Sequence, residues 1–148
     1  MASVASGLSR AATCALLRVK PAIARSSDET AIYEAVFRHQ FGRNASATPQ
    51  SATAFFIEIA GSDPPDAFLA RFRGETPQVK KASLALMGKH AAVIDRGKRG
   101  FALLFTAEKI RWVTNDVVEV SGGYAEGDLG PSGNIYRLRH TKSGLESC

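Results

Sequence analysis

The spacing of apolar residues changes along this chain, and this change limits its fold more than any other feature. Toward the N-terminus, apolar residues recur every three or four positions and form one stripe: Ile32, Tyr33, Val36, Phe37 and Phe41. This spacing predicts an amphipathic helix, because positions three and four apart share a helical face. Beyond Val79, the residues Ala82, Leu84 and Leu86 alternate with their neighbours, which is typical of a strand with one face on a core.

Further short apolar segments predict additional strands. They are rich in β-branched and aromatic residues, and polar or glycine-containing loops separate them. The segments are Ala54–Ile59, 91–94, 101–105, 109–113, 117–120 and 135–139. After the first of them, Asp63 followed by Pro64 predicts the start of a second, short helix. The apolar residues of this helix share one face: Phe68, Leu69 and Phe72.

The order of these elements predicts an α+β fold. Strands do not alternate with long helices, so a parallel sheet built from βαβ units is not expected. The expected architecture is an N-terminal amphipathic helix packed on a curved antiparallel sheet, with the second, short helix after the first strand. By analogy alone, this arrangement is similar to cystatin-like and NTF2-like folds. The length of the chain fits a single domain, which we place at residues 28–140.

Residues 1–27 differ in composition from the rest and predict a basic leader. They are rich in alanine and serine, contain no acidic residue, and carry four positive charges at Arg10, Arg18, Lys20 and Arg25. Residues 11–19 can serve as the short apolar core of a secretory signal, with 22–24 as its small-residue cleavage site. An organelle transit peptide and a disordered extension are the alternatives. A functional leader implies an exported protein, periplasmic or secreted, and otherwise the protein is cytoplasmic.

The charge distribution argues against two classes of partner. The chain has 19 basic and 14 acidic residues, a net charge of +5, and the leader accounts for four of these charges. The remaining domain is nearly neutral, so we expect no nucleic-acid binding, and a basic hairpin tip at 96–99 is interpreted as a solvated loop. Basic residues interrupt the leader's apolar stretch, so we also expect no membrane span.

Several segments resemble a family of small, uncharacterised bacterial proteins that often carry export leaders. The segments occur in order over residues 31–139: YEAVFR at 33–38, DPPDAFLARF at 63–72, VKKAS at 79–83, IRWV at 110–113, VEVSGGY at 118–124 and SGNIY at 132–136. The resemblance implies a grouping of folds and carries no activity with it. Relatives usually continue into another strand that contains Lys-Trp, whereas residues 141–148 of this chain are interpreted as a disordered tail. An exposed sheet edge would then remain, through which the protein can form a homodimer.

The sequence offers no recognisable catalytic, metal or cofactor motif. Its three histidines, His39, His90 and His140, lack the spacing of a zinc site, and no Ser or Cys nucleophile motif or phosphate-binding loop occurs. We therefore predict no catalytic residue, no metal and no cofactor. Two acid/base pairs that a fold can assemble over long separations, His90 with Asp95 and His39 with Glu119, are considered but not favoured.

The remaining signal is a glycine-rich stretch at residues 122–134, where the backbone can approach a ligand closely. The candidate ligand-binding residues are His39 at the rim of a pocket, and Tyr124, Glu126, Asp128 and Asn134 in or beside the stretch. A mobile hairpin explains the same glycines without a ligand. The functional hypothesis is a non-catalytic exported domain that binds a small ligand or a protein partner. The alternative is a small NTF2-like enzyme with one acid/base residue in a pocket between helix and sheet.

Overall fold

The computed structural model describes residues 22–43, 52–88, 93–97, 100–125, 132–141 and 144–147. These ranges contain a long helix α1 (Ala22–Arg43) and a short helix α2 (Asp66–Leu69), which continues as a 3-10 turn (Ala70–Phe72). The strands are β1 (Ala54–Ile59), β2 (Gln78–Lys81), β3 (Ala85–Met87), β4 (Val93–Asp95), β5 (Leu103–Trp112), β6 (Val117–Ala125), β7 (Ser132–Thr141) and β8 (Gly144–Ser147). A fold of the α+β class is therefore confirmed.

The main sheet is mixed, so the prediction of an antiparallel sheet was wrong. Its strand order is β2-β1-β5-β6-β7-β8, and β1 runs parallel to both of its neighbours. The chain leaves β1, crosses through α2 and returns to the same end of the sheet, which makes β2 parallel. The strands from β5 to β8 pair antiparallel, as consecutive hairpins do. Alternation of residues predicts a strand but does not identify its partner.

The alternating region at 82–86 forms two elements instead of one strand. A 3-10 turn (Ala82–Leu84) precedes β3, which pairs with β4 in a separate two-stranded ribbon. Val93 of this ribbon is buried with Ala54, Phe56 and Ala102, so the ribbon covers part of the sheet face opposite α1. The ammonium of Lys80 in β2 lies 3.1 Å from both carboxylate oxygens of the buried Asp95 and ties the ribbon to the sheet edge.

The apolar stripe of α1 lies in the larger core. Ile32, Val36 and Phe37 are buried in one cluster with residues from β1, β5 and β6. The Phe37 ring lies 6.1 Å from Phe68 and 6.5 Å from Phe72, in edge-to-face contacts. Both short helical elements therefore join α1 in covering the sheet, through an aromatic cluster that excludes water.

Described elements extend beyond residues 28–140 at both ends. The helix α1 already includes residues 22–27, where the alanines at 22 and 24 favour helix formation. Within the expected tail, β8 pairs with β7 from Thr141↔Gly144 to Leu138↔Ser147. Gly144 has a φ of 132°, a conformation that glycine adopts without strain. The exposed edge is therefore β8, and dimerisation through it stays a prediction.

A buried amide connects α1 to the centre of the sheet. The Gln40 side chain is 0% exposed, and its Nε2 donates to the carbonyl oxygens of Thr106 (3.1 Å) and Gly123 (3.3 Å). The β5–β6 register shifts just beyond this point, between Ala107 and Ile110. A Cβ atom on Gly122 would lie 2.5 Å from the Thr106 carbonyl oxygen and 3.0 Å from Gln40 Nε2. Only a glycine fits this close approach of helix and strands.

Candidate functional site

The structure describes three of the five residues that the sequence suggested for ligand binding. His39 is exposed on α1 and its ring lies 5.5 Å from that of Tyr136, edge to face. Tyr124 is half-buried in β6, with its ring 6.3 Å from Phe105, and Asn134 is exposed in β7 opposite Gly122. Within the described ranges, no hydrogen bond or ring contact joins His39, Tyr124 and Asn134 to one another. Glu126 and Asp128 lie outside the described residues.

Of the two possible acid/base pairs, only the one between His39 and Glu119 falls wholly within the described residues. His90 lies outside the described residues, so its pairing with Asp95 has no structural account. The Glu119 carboxylate accepts a hydrogen bond from Arg111 and forms an ion pair with Arg137, on the sheet face opposite α1. His39 belongs to α1, so the sheet lies between His39 and Glu119. Among the residues whose positions are described, no group of three or more histidine, cysteine, aspartate or glutamate side chains converges as a metal site requires.

The surface of the described part has several depressions, and three of them are compared below. A cavity of about 920 Å³ is lined by the C-terminal part of α1, by residues 52–55 around the start of β1 and by residues 75–78 before and at the start of β2. A groove of about 540 Å³ crosses β5, β6 and β7, and its lining includes three glycines and Asn134. The third, of about 490 Å³, is lined by described residues from four neighbouring elements. We examine this third depression as the candidate site.

The third depression, called here the helix–proline cleft, has an apolar floor and a polar rim. Its residues are Glu29, Thr30 and Tyr33 from α1, Ile59 from β1, Asp63, Pro64 and Pro65 from the following loop, Ala67 and Phe68 from α2, and Arg71 from the 3-10 turn. Ile59, Pro64 and Phe68 supply the apolar part. Glu29 and Tyr33 share one helical face because they lie four positions apart.

A tight turn after β1 places the loop wall of the cleft. Ala60 and Gly61 both have positive φ, 49° and 78°, and the backbones of Ile59 and Ser62 exchange hydrogen bonds across them. The chain then runs through Pro64 and Pro65 into α2. Pro65 occupies the helix-capping position, and no side chain caps the helix. The predicted capping role of Asp63 was therefore wrong: its carboxylate instead accepts a hydrogen bond from the Ser83 backbone N–H at 2.9 Å.

The cationic side of the cleft is already neutralised within the protein. The Arg71 guanidinium donates to the Glu34 carboxylate, which also accepts a hydrogen bond from Arg38 at 3.1 Å. Burial alone would raise the pKa of Glu34, but the hydrogen bonds from Arg71 and Arg38 outweigh burial and lower this pKa. Glu34 is therefore ionised at neutral pH and forms an ion pair with Arg71.

Tyr33 is one of the α1 residues that line the cleft. Its hydroxyl donates to the carbonyl oxygen of Glu108 at 3.1 Å. Burial raises the pKa of Tyr33 above its ordinary value of 10.0, and the charges of Glu29 and Glu108 add to this effect, against an opposing hydrogen bond from the Ile110 backbone. The local field at the hydroxyl is therefore unfavourable to additional negative charge.

The raised pKa of Tyr33 gives an expected result in alkaline titration. The folded protein is titrated with alkali while tyrosinate absorbance is followed, and the three tyrosines each contribute a transition. The transition that disappears in the Tyr33→Phe variant is assigned to Tyr33, and we expect its midpoint above pH 10.0. The folded state holds this proton more tightly than the unfolded state. The associated stability is therefore present below about pH 10 and is lost as pH rises through the folded pKa. If the lost transition lies at or below pH 10, the described environment of Tyr33 is wrong.

Comparisons of the chain with protein-family models, with curated proteins and with solved structures found no match. The described helices include none that is both long enough and apolar enough to cross a membrane. The fold and the cleft thus define a class of protein in physical terms only: a small α+β domain with a ligand-sized cleft between its long helix and a proline-containing loop.

Proposed function

We propose that this protein is a non-catalytic binding domain and that the helix–proline cleft takes a small ligand. The observation that supports the proposal is the combination of an apolar floor with a polar rim in a cleft of about 490 Å³. Ligand sites in proteins have this size and composition, because apolar contact supplies affinity and a few polar groups fix orientation. The cleft is built on packed elements, since Phe68 and Pro64 are buried in the surrounding structure.

The enzymatic alternative requires an acid/base residue between helix and sheet. Among the described residues, the buried polar side chains are Gln40, Asp95 and Asp116. Gln40 lies between helix and sheet, and its amide cannot act as an acid or a base near neutral pH. Asp116 lies in the turn between β5 and β6, at the end of the sheet. The buried Asp95 lies in the ribbon on the opposite face, where it is held by Lys80. These positions support binding over catalysis as the function that we propose.

A cleft-filling variant tests the proposal. Ala67 is exposed and lines the cleft, so Ala67→Trp is expected to fill it without disturbing the core. We expect the neutral probe 2-phenylethanol to shift amide resonances of cleft residues saturably in the full chain, and to bind the Ala67→Trp variant at least tenfold more weakly. The matched control is Lys109→Trp, at an exposed position of β5 that does not line the cleft.

Two results would contradict the binding proposal. One is the absence of saturable shifts at the cleft in the wild-type protein. The other is equal binding of 2-phenylethanol by the wild-type and Ala67→Trp proteins, because the probe would then occupy a different place.

Export by the basic leader is part of the proposal. N-terminal sequencing of protein recovered from a host's exported fraction is expected to show that the leader has been removed. An intact N-terminus at Met1, in protein confined to the cytoplasm, would contradict export. The binding proposal does not depend on this result.

A further inference from the structure

We infer that the ligand of the helix–proline cleft carries a protonated amine on an apolar body. This inference rests on the proposed function and specifies the class of ligand. It follows from how the charged groups around the cleft are already paired, combined with the apolar floor formed by Ile59, Pro64 and Phe68.

Two cations at or beside the cleft are paired with carboxylates of the protein itself. Arg71 lines the cleft, but its guanidinium is bound to Glu34. Lys81, whose charge acts on the nearby Asp63, is held by Asp66 at 2.7 Å. An anionic ligand would have to share these cations with the carboxylates that already balance their charge. The attraction of the cleft for an anion is therefore weakened.

Two carboxylates that line the cleft, Glu29 and Asp63, are exposed to solvent at its rim. Glu29 is exposed at the rim, and no described basic side chain pairs with its carboxylate. Asp63 uses one carboxylate oxygen for the Ser83 N–H and keeps its negative charge, since that hydrogen bond lowers its pKa. An ammonium group at the rim would be attracted by the negative charges of Glu29 and Asp63, while its apolar body contacts the floor. Opposite charges at contact distance attract, and a partly enclosed site weakens their screening by water and salt.

Three probes of nearly the same shape separate charge from apolar contact: phenethylamine, 2-phenylethanol and 3-phenylpropionate. In the full chain at neutral pH, we expect phenethylamine to bind about fivefold more tightly than the alcohol, the upper range for one partly exposed ion pair. We expect the propionate to bind more weakly than the alcohol. Glu29→Gln is expected to remove most of the amine's advantage and to leave binding of the alcohol unchanged. The control Glu58→Gln lies on the opposite face of β1 and is expected to leave all three affinities unchanged.

The outcomes distinguish this inference from the proposed function. If the alcohol binds in the cleft and Ala67→Trp blocks it, but the amine binds no more tightly than the alcohol, the amine inference is overturned and the binding function stands. If Glu29→Gln and Glu58→Gln reduce amine binding equally, the specific role of the cleft carboxylates is overturned. If none of the three probes binds at the cleft, both proposals fail.

Discussion

Replacing Phe37 with alanine is expected to lower the free energy of unfolding by about 4 kcal/mol. The Phe37 ring is fully buried and contacts Phe68 and Phe72, so it joins α1 to the short helical elements above the sheet. Alanine would remove the apolar area of the ring and leave a cavity in the aromatic cluster. The neighbouring rings can close this cavity only in part, because they are held by backbone on three separate elements.

Urea unfolding of the full chain measures this loss. Phe37→Leu is expected to lose less than Phe37→Ala, and it keeps the test readable if the alanine variant does not fold. The matched control is His39→Ala, two positions along the same helix at an exposed side chain, with an expected change within about 0.5 kcal/mol. Equal losses in Phe37→Ala and His39→Ala would show that the helix does not pack on the sheet through this face.

Gly122→Ala is expected to destabilise the protein by roughly 3 kcal/mol, although it adds only one methyl group. The new Cβ would lie 2.5 Å from the backbone oxygen of Thr106, and a backbone atom within a paired sheet cannot move aside cheaply. The methyl group would also press on the Gln40 amide and weaken its two hydrogen bonds to the strands. Those carbonyl groups would then be buried without full hydrogen bonding.

The control for this substitution is Gly133→Ala on the adjacent strand. There the nearest atom to a new Cβ is 3.9 Å away, an ordinary contact, so we expect little change in the urea midpoint. Both positions are paired within β6 and β7, and the comparison therefore cancels the general effect of replacing a strand glycine. If both variants unfold at the same urea concentration, the close approach of β5 and β6 at Gly122 is not present in solution.

Local residue patterns were sufficient to predict much of the secondary structure. The helical spacing of Ile32, Val36 and Phe37 reflects a physical requirement, because side chains three and four apart must share one buried face. The hairpin formed by β5 and β6 follows equally from two apolar runs around a polar turn. The pairing of β1 was not predictable in this way, since its partners β2 and β5 are chosen by non-local packing.

The sequence contained one usable signal for the buried amide that went unrecognised. Gln40 follows Val36 by four positions and Phe37 by three, which places it on the buried stripe of α1. A polar residue at such a position needs hydrogen-bond partners in the core, and the sheet backbone supplies them. His39, which was selected instead, lies off that stripe and is exposed.

The cleft itself could not be predicted, because its residues are brought together from separate segments. Glu29 and Tyr33 belong to a helix, while Asp63 and the two prolines follow β1. In the sequence, Asp63 and Pro64 have the pattern of a helix start, and that local interpretation hid their role as a cleft wall. The turn before this loop requires a positive φ at Ala60, a conformation that is uncommon for a residue other than glycine. The residue pattern around Ala60 does not predict this conformation.

The position of β1 between two parallel neighbours has a consequence for the order in which the chain can assemble. The aromatic side chains of Phe55 and Phe56 need β5 beside them, where their partners are Leu103 and Leu104. During synthesis the ribosome releases β1 long before β5, so this strand stays without its neighbour until most of the polypeptide has emerged. Premature termination ahead of Leu103 would leave β1 open to pairing with other molecules. In the complete chain, the sheet can form around β1 only after β5 has been synthesised.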